Sequence, residues 1–341
     1  MKRRITILLI ILSITTCYAQ NAVVDSLNAI LKTANHDTTS SKIYVQLSDL
    51  LFNENPDTVN FLCKKAISIA NSKISKADPK VKKALLVIQS SAYNNIGVYF
   101  NYIGDVPKSL ANFQKSLSIQ EELVKNGYNE IELILGIAAT SNNIGVIYYS
   151  QGNVSKALEN YLKSLSIREG ILNKLKDSVE IRSTKKGIAT TLNNVGSIYD
   201  SQGDDIKAIM FYKKSLKIRE EIGDKKGIAN SLNNIGYFYQ TFGDSADKTE
   251  NKHPSKLIAL EYYKKSLTLK EEISDQIGIG NSLSNIGYIY FIMSDSYSNQ
   301  IKRDSLLLKS LDYFSKSLRI HETINNKYGI ASTLNNLAAN Y

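Results

Sequence analysis

The sequence predicts an all-α chain, a solenoid of helix-turn-helix repeats. Three observations predict it. A pair of adjacent asparagines recurs down the 341 residues at nearly regular intervals, so a repeat array replaces the two or three ordinary domains that length alone implies. Each copy carries an apolar pattern of helical period, a glycine turn and a second helical stripe. Helix breakers are scarce, with 4 prolines, and 43% hydrophobic with 22% charged residues is the balance of a folded chain.

Residues 1–19 stand apart. Lys2, Arg3 and Arg4 form a basic start, Ile5 to Ile14 a short apolar run, and Cys17-Tyr18-Ala19 ends in small residues, the layout of a secretory signal peptide. The run is shorter than the roughly 20 residues of a bilayer span. Lipidation of Cys17 and an uncleaved anchor are the alternatives. The expected location is exported, periplasmic or membrane-associated in a bacterium. A membrane tether is expected only through this N-terminus or a missing C-terminal part, because no other stretch reads as long and apolar enough to cross. Without residues 1–19 the net charge falls from +10 to +7, and Cys63 is the remaining cysteine. Its setting, "VNFLCKKAISIA", is an apolar helix position and reads as a buried small hydrophobe.

Residues 20–83 read as N-terminal helices with one degenerate repeat, in which Leu47-Ser48, Leu51, Val59, Cys63 and Ala66 follow the pattern one residue short. Residues 84–326 read as an array of five repeats, and 327–341 as the first helix of an incomplete further one. The aligned columns are Asn94-Asn95-Ile96-Gly97, Asn142-Asn143-Ile144-Gly145, Asn193-Asn194-Val195-Gly196, Asn233-Asn234-Ile235-Gly236, Ser284-Asn285-Ile286-Gly287 and Asn335-Asn336-Leu337-Ala338. The last column advances by 48, 51, 40, 51 and 51 residues, a 40-residue unit with insertions of 8 or 11. Insertions near two or three helical turns lengthen helices without rotating their buried faces. Phe100, Tyr148, Tyr199, Tyr239 and Tyr290 follow the glycine by three, and Gly104, Gly152, Gly203 and Gly243 by seven. The second stripe of the shortest unit holds Ala208, Tyr212, Ser215 and Leu216.

These columns resemble the tetratricopeptide repeat: a small residue, an aromatic three later, a turn glycine, then alanine, tyrosine and a small serine. The motif's tryptophan and terminal proline are missing. The 40-residue unit is similar to the longer-helix variety of kinesin light chains and the Leu-Gly-Asn-rich regulators. The resemblance covers residues 84–341, and more weakly 41–75. It implies a right-handed α-solenoid whose first helices line a concave surface. The insertions at 121–137 and 169–186 fall between units. Those at 244–258 and 294–309 interrupt the glycine turn, which predicts two neighbouring polar loops.

Counted at about 100° per residue, Leu232, Ile235 and Tyr239 share the arc that meets the second helix. Asn233 and Asn234 flank the opposite face, with Asn230 and Tyr237 between them. The central positions of that face are uncharged in every unit, and Asp200 sits at its edge. The charges lie on the second helices, with Lys115, Lys163, Lys214, Lys265 and Lys316 in one column and Glu121, Glu169, Glu220, Glu271 and Glu322 in another. A carboxamide has donors and an acceptor, so one amide can pair with both N–H and C=O of an extended peptide, and tyrosines add contact area at low entropic cost. By resemblance, the groove role falls to Asn95, Asn143, Asn194, Asn234 and Asn285, with Tyr102, Val146, Tyr237 and Tyr288 beside them. The alternative is a structural ladder between neighbouring first helices, which suits the first asparagine of each pair better.

No catalytic constellation stands out, and neither an enzyme, a cofactor nor a metal is expected. His36, His253 and His321 lie in unrelated settings, and His321 shares with Arg168, Arg219 and Lys270 a column that reads as solvent-facing. "GIGNSL" from Gly278 lacks the third glycine and the preceding strand of a phosphate loop. The dispersed lysines, paired with glutamates, argue against nucleic acid. The expected function is a protein–protein interaction scaffold that binds a peptide. The other reading, favoured by the stop at Tyr341 inside a first helix, is the sensory half of a signalling protein with a histidine kinase, nucleotide cyclase or transcription-regulator output.

Overall fold

The computed structural model describes residues 22–34, 36–52, 55–241 and 254–339. The signal-peptide reading with Cys17, the turn at Gly243, His253, most of the loop at 244–258 and Tyr341 lie outside the described residues. Within them are fourteen helices and no strand. They are α1 (residues 22–33), α2 (Asp37–Leu51), α3 (Pro56–Ile74), α4 (Pro79–Tyr102), α5 (Val106–Lys125), α6 (Ile131–Ser150), α7 (Val154–Leu172), α8 (Ser178–Ser201), α9 (Asp205–Glu221), α10 (Lys225–Thr241), α11 (Pro254–Glu272), α12 (Gln276–Ser294), α13 (Gln300–Thr323) and α14 (Lys327–Ala338). The chain divides into two compact units, Met1–Ile167 and Arg168–Tyr341, with the division inside α7.

Local chemistry explains each hairpin. Gly104, Gly152 and Gly203 end their helices at φ of +80°, +74° and +73°, a region other residues enter only at a cost. The next helix then starts on a side-chain cap: Asp105 accepts from the Lys108 amide, Asn153 from Lys156 and Asp204 from Lys207. The motif glycine brings the two helices together. A methyl group on Gly97 or Gly145 would lie 2.6 Å from the ring of Phe113 or Tyr161, and one on Gly196 2.8 Å from the Tyr212 ring. Serines on the second helices tie the close approach: Ser215 Oγ donates to the Ala189 carbonyl at 2.7 Å, Ser266 to Ala229 and Ser317 to Gly280, both at 2.8 Å.

In the first unit the core runs from Val59, Cys63 and Ala66 through Ala92, Ile96 and Tyr99, then through Phe113, Ile144 and Ile147. Cys63 is fully buried, and burial pushes its thiol pKa up to about 12, so it is an inert packing residue. In the second unit Ala208, Tyr212, Ile235 and Phe238 form one cluster, and Ala259, Tyr263, Ile286, Ile289 and Met293 another. Among the described residues, the insertions at 169–186 and 294–309 are absorbed largely as helix. α8 begins at Ser178 and α13 at Gln300, each 24 residues long, which leaves loops at 173–177 and 295–299.

Two expectations are corrected. α6 is long and apolar enough to cross a membrane, contrary to the sequence reading. Its Leu133, Ile137, Ala138, Ile144 and Ile147 are buried in the first unit, the pattern of a core helix. The column of Arg219, Lys270 and His321 is buried rather than solvent-facing, with exposures of 7%, 4% and 1%. A column that faces away from its own hairpin partner is covered by the first helix of the next hairpin. Arg219 Nη1 donates to the Gly227 carbonyl at 2.6 Å and Ser231 Oγ at 3.0 Å, and Lys270 Nζ to Ser282 Oγ at 2.9 Å. Glycine at 227, 278 and 329 makes the room.

Candidate functional site

The asparagine pairs are half-buried on the first helices, apart from the exposed Asn335, and are bonded to one another between hairpins. Asn143 Nδ2 donates to Asn94 Oδ1 at 3.1 Å in the first unit. In the second, Asn234 Nδ2 donates to Asn193 Oδ1 at 2.9 Å, and Asn285 Nδ2 to Asn233 Oδ1 at 3.0 Å. Asn336 donates to Ser284 Oγ at 3.2 Å, with serine in place of the first asparagine. Asn194 is engaged as well. The ladder therefore uses both members of the pair, the second as donor and the first as acceptor.

Each rung orients its amides and leaves groups over. Asn143, Asn234 and Asn285 spend one N–H and keep the second N–H and Oδ1; Asn94, Asn193 and Asn233 spend an Oδ1 lone pair and keep their NH₂ groups. One rung thus presents a donor and an acceptor side by side, which is the complement of a peptide unit. The pairing that sequence assigned to one amide can be made by two. Asn95 differs: its Nδ2 donates both to Ser48 Oγ at 2.9 Å and to Asp49 Oδ1 at 2.6 Å, which leaves its Oδ1. Burial raises the Asp49 pKa, and the Asn95 bond opposes that shift.

Around the rungs, Tyr102, Tyr237 and Tyr288 are exposed and Val146 is half-buried. Tyr102 stands edge-on to Phe52, with centroids 5.8 Å apart, and Tyr288 lies 6.2 Å from Phe291. The structure brings Asn234 and Tyr237 onto one exposed turn of α10, and Asn285 and Tyr288 onto the matching turn of α12. The ladder that the sequence allowed as the alternative is present, with the first asparagines Asn94, Asn193 and Asn233 as its acceptors; Ser48 and Asp49, the acceptors at Asn95, were missed. The signal for the rungs was present, since pairs in register at 40 to 51 residues place one hairpin's second asparagine beside the previous hairpin's first. The "GIGNSL" stretch is helical, inside α12.

Among known proteins, tetratricopeptide repeat family profiles match residues 137–180 and 187–247. No curated protein matches the sequence. Solved structures are similar in fold. The apo form of RapI is 15% identical with a TM-score of 0.53, over 88% of this chain and 99% of that one. Aspartyl phosphate phosphatase F from Bacillus subtilis is 13% identical with a TM-score of 0.53, over 93% and 74%. A Rap protein complexed with Competence and Sporulation Factor is 12% identical with a TM-score of 0.52, over 94% and 79%. At these identities the likeness is one of fold.

Proposed function

We propose that this chain, a tetratricopeptide-repeat protein, is a non-enzymatic scaffold whose uncharged first-helix face binds an extended peptide segment. One observation carries the reading. Each asparagine rung holds a donor and an acceptor in fixed orientation, on a face whose central positions are uncharged, and the Asn234 and Asn285 rungs lie next to the exposed Tyr237 and Tyr288. A bound main chain would find its N–H and C=O groups matched rung by rung, with little demand on its side chains, while Tyr237 and Tyr288 cover its apolar parts. The pre-set amides lower the ordering cost of binding. In the second unit Asn234 and Asn285 are the main contacts in this reading, with Asn194; in the first unit Asn143 offers the same groups and Asn95 its acceptor alone. The same reading places the chain in an exported compartment, on the layout of residues 1–19.

The test uses the tyrosines, because truncating a rung asparagine also removes a bond between hairpins. Tyr237→Ala with Tyr288→Ala is expected to weaken capture of a peptide selected against the wild-type chain by about tenfold or more, as loss of aromatic anchors does. The melting temperature should stay within a degree or two. Undiminished capture by the double variant would remove this face as the binding surface.

A further inference from the structure

Along the buried column of the second unit, the residue at the hairpin junction changes from Arg219 to Lys270 to His321. The residue five positions on changes with it, from Asp224 and Asp275 to Asn326. Arg219 and Lys270 reach across to the hydroxyls of Ser231 and Ser282. His321 is shorter, and the matching hydroxyl, Thr333 Oγ1, is held instead by Ser317 and the Gly329 carbonyl. At this junction a cleft of about 290 Å³ opens between α12 and α14, with His321 in its lining.

The cleft has an unambiguous polarity. Its ten lining residues include seven carboxamide or aliphatic hydroxyl side chains, on α10, on α12 and in the α14 stretch from Ser332 to Asn336, and no Asp, Glu, Lys or Arg. Asn326 Oδ1 accepts from the Gly329 amide, so its Nδ2 is what faces His321 Nδ1 at 3.1 Å. Nδ1 is therefore the acceptor, and the ring proton sits on Nε2. Burial holds the imidazole pKa below its ordinary value, which keeps the ring neutral. The cleft thus offers the His321 N–H and the NH₂ groups of Asn233 and Asn281 as donors, with the side-chain oxygens of Asn285, Ser332 and Asn336 as acceptors. A volume at the lower end of the roughly 300–1,000 Å³ of ligand pockets suits a single side chain.

We propose that this cleft is a selectivity pocket for the carboxamide of an asparagine or glutamine in the bound chain. The inference deepens the peptide-binding reading and rests on it. A carboxamide has one donor group and one acceptor side by side and no charge, the complement of the lining. A carboxylate or ammonium would be stripped of water with no opposite charge to meet it.

The test titrates N-acetyl-asparagine N-methylamide into the full chain at neutral pH and follows the imidazole carbon–proton signal of His321 by NMR. The expected result is a saturable shift, with N-acetyl-aspartate N-methylamide, N-acetyl-lysine N-methylamide and glucose weaker by about tenfold or more. The double variant His321→Lys with Asn326→Asp rebuilds the Lys270 and Asp275 junction. It should keep its melting temperature and lose the probe in ligand-observed saturation transfer. Ser332→Leu, a substitution at an exposed position on the cleft wall, should lose the probe as well and serves if the double variant does not fold. Absence of a shift, equal binding of the aspartate or glucose probe, or full binding by Ser332→Leu overturns the pocket. Failure of the probe while Tyr237→Ala and Tyr288→Ala still weaken peptide capture removes the pocket and leaves the peptide-binding face standing.

Discussion

The α11–α12 junction and the α13–α14 junction are built on one template and filled with different chemistry. In the first, Lys270 lies buried beside Gly278 with Asp275 as the helix cap; in the second, His321 lies buried beside Gly329 with Asn326 as the cap. Burial lowers the Lys270 pKa and Asp275 opposes the shift, whereas His321 is lowered by burial alone. The two positions change as a couple, cation with carboxylate and neutral ring with neutral amide. Either couple leaves the buried slot electrically balanced, and a mixed couple does not. The filling differs as well: a long flexible arm reaches Ser282 in one junction, and a flat ring lines a cleft in the other.

Adding a methyl group to each glycine should separate the junctions most. On Gly329 it would strike the His321 ring, which is also pressed by Gly280; on Gly278 it meets the carboxylate tip of Asp275 and the Lys270 arm, which can move. Gly329→Ala is expected to cost about 3 kcal/mol and Gly278→Ala about 1 kcal/mol, read by chemical denaturation. Equal costs would mean that the ring is no more constrained than the arm. Breaking one couple comes next. Asp275→Asn should destabilise by about 2 kcal/mol, since it leaves the Lys270 charge without its counter-charge. A smaller effect follows from pH. In the native chain the unfolded state takes up the His321 proton first, so stability falls as pH drops below the ordinary histidine value of 6.5. Asn326→Asp puts a carboxylate beside the ring and raises its pKa, so that the contribution of this site should rise with acid instead, by about 1 kcal/mol. Melting curves at mildly acid and neutral pH give the sign. The smallest effect is at the turns before these caps, where Ser274 and Asn325 have φ of 57° and 53° and Gly223 occupies the same place one hairpin earlier at 64°. Ser274→Gly should stabilise by about 0.5–1 kcal/mol, and Asn325→Gly by less, because asparagine tolerates that region.

The hairpins were legible because their signals are local. Ile235, Tyr239 and Leu232 repeat every three or four residues, and Gly203 marks the turn with Asp204 to start the next helix. The asparagine face was legible for the same reason, as a run of uncharged positions opposite the apolar arc. Its partners were harder to read. Asn143 finds Asn94 across 49 residues of chain, and Asn285 finds Asn233 across 52, and the spacing varies with each insertion. α6 misled through composition: a stretch apolar enough for a membrane is also apolar enough for a core. His321 misled through geometry, because a column pointing away from its own hairpin looks exposed until a second hairpin covers it.

By itself, then, the sequence determined the helices, their turns, the register of the repeats and the surface on which the amides sit, all consequences of contacts within a few residues. Only the stacking of hairpins decided what those amides hold and which cations lie buried. It also placed a cleft where histidine replaces lysine. The amide rungs join groups some forty to fifty residues apart in the chain and the buried cations groups 8 to 12 apart on successive helices, and in both the meeting is set by packing between helices rather than by any local preference.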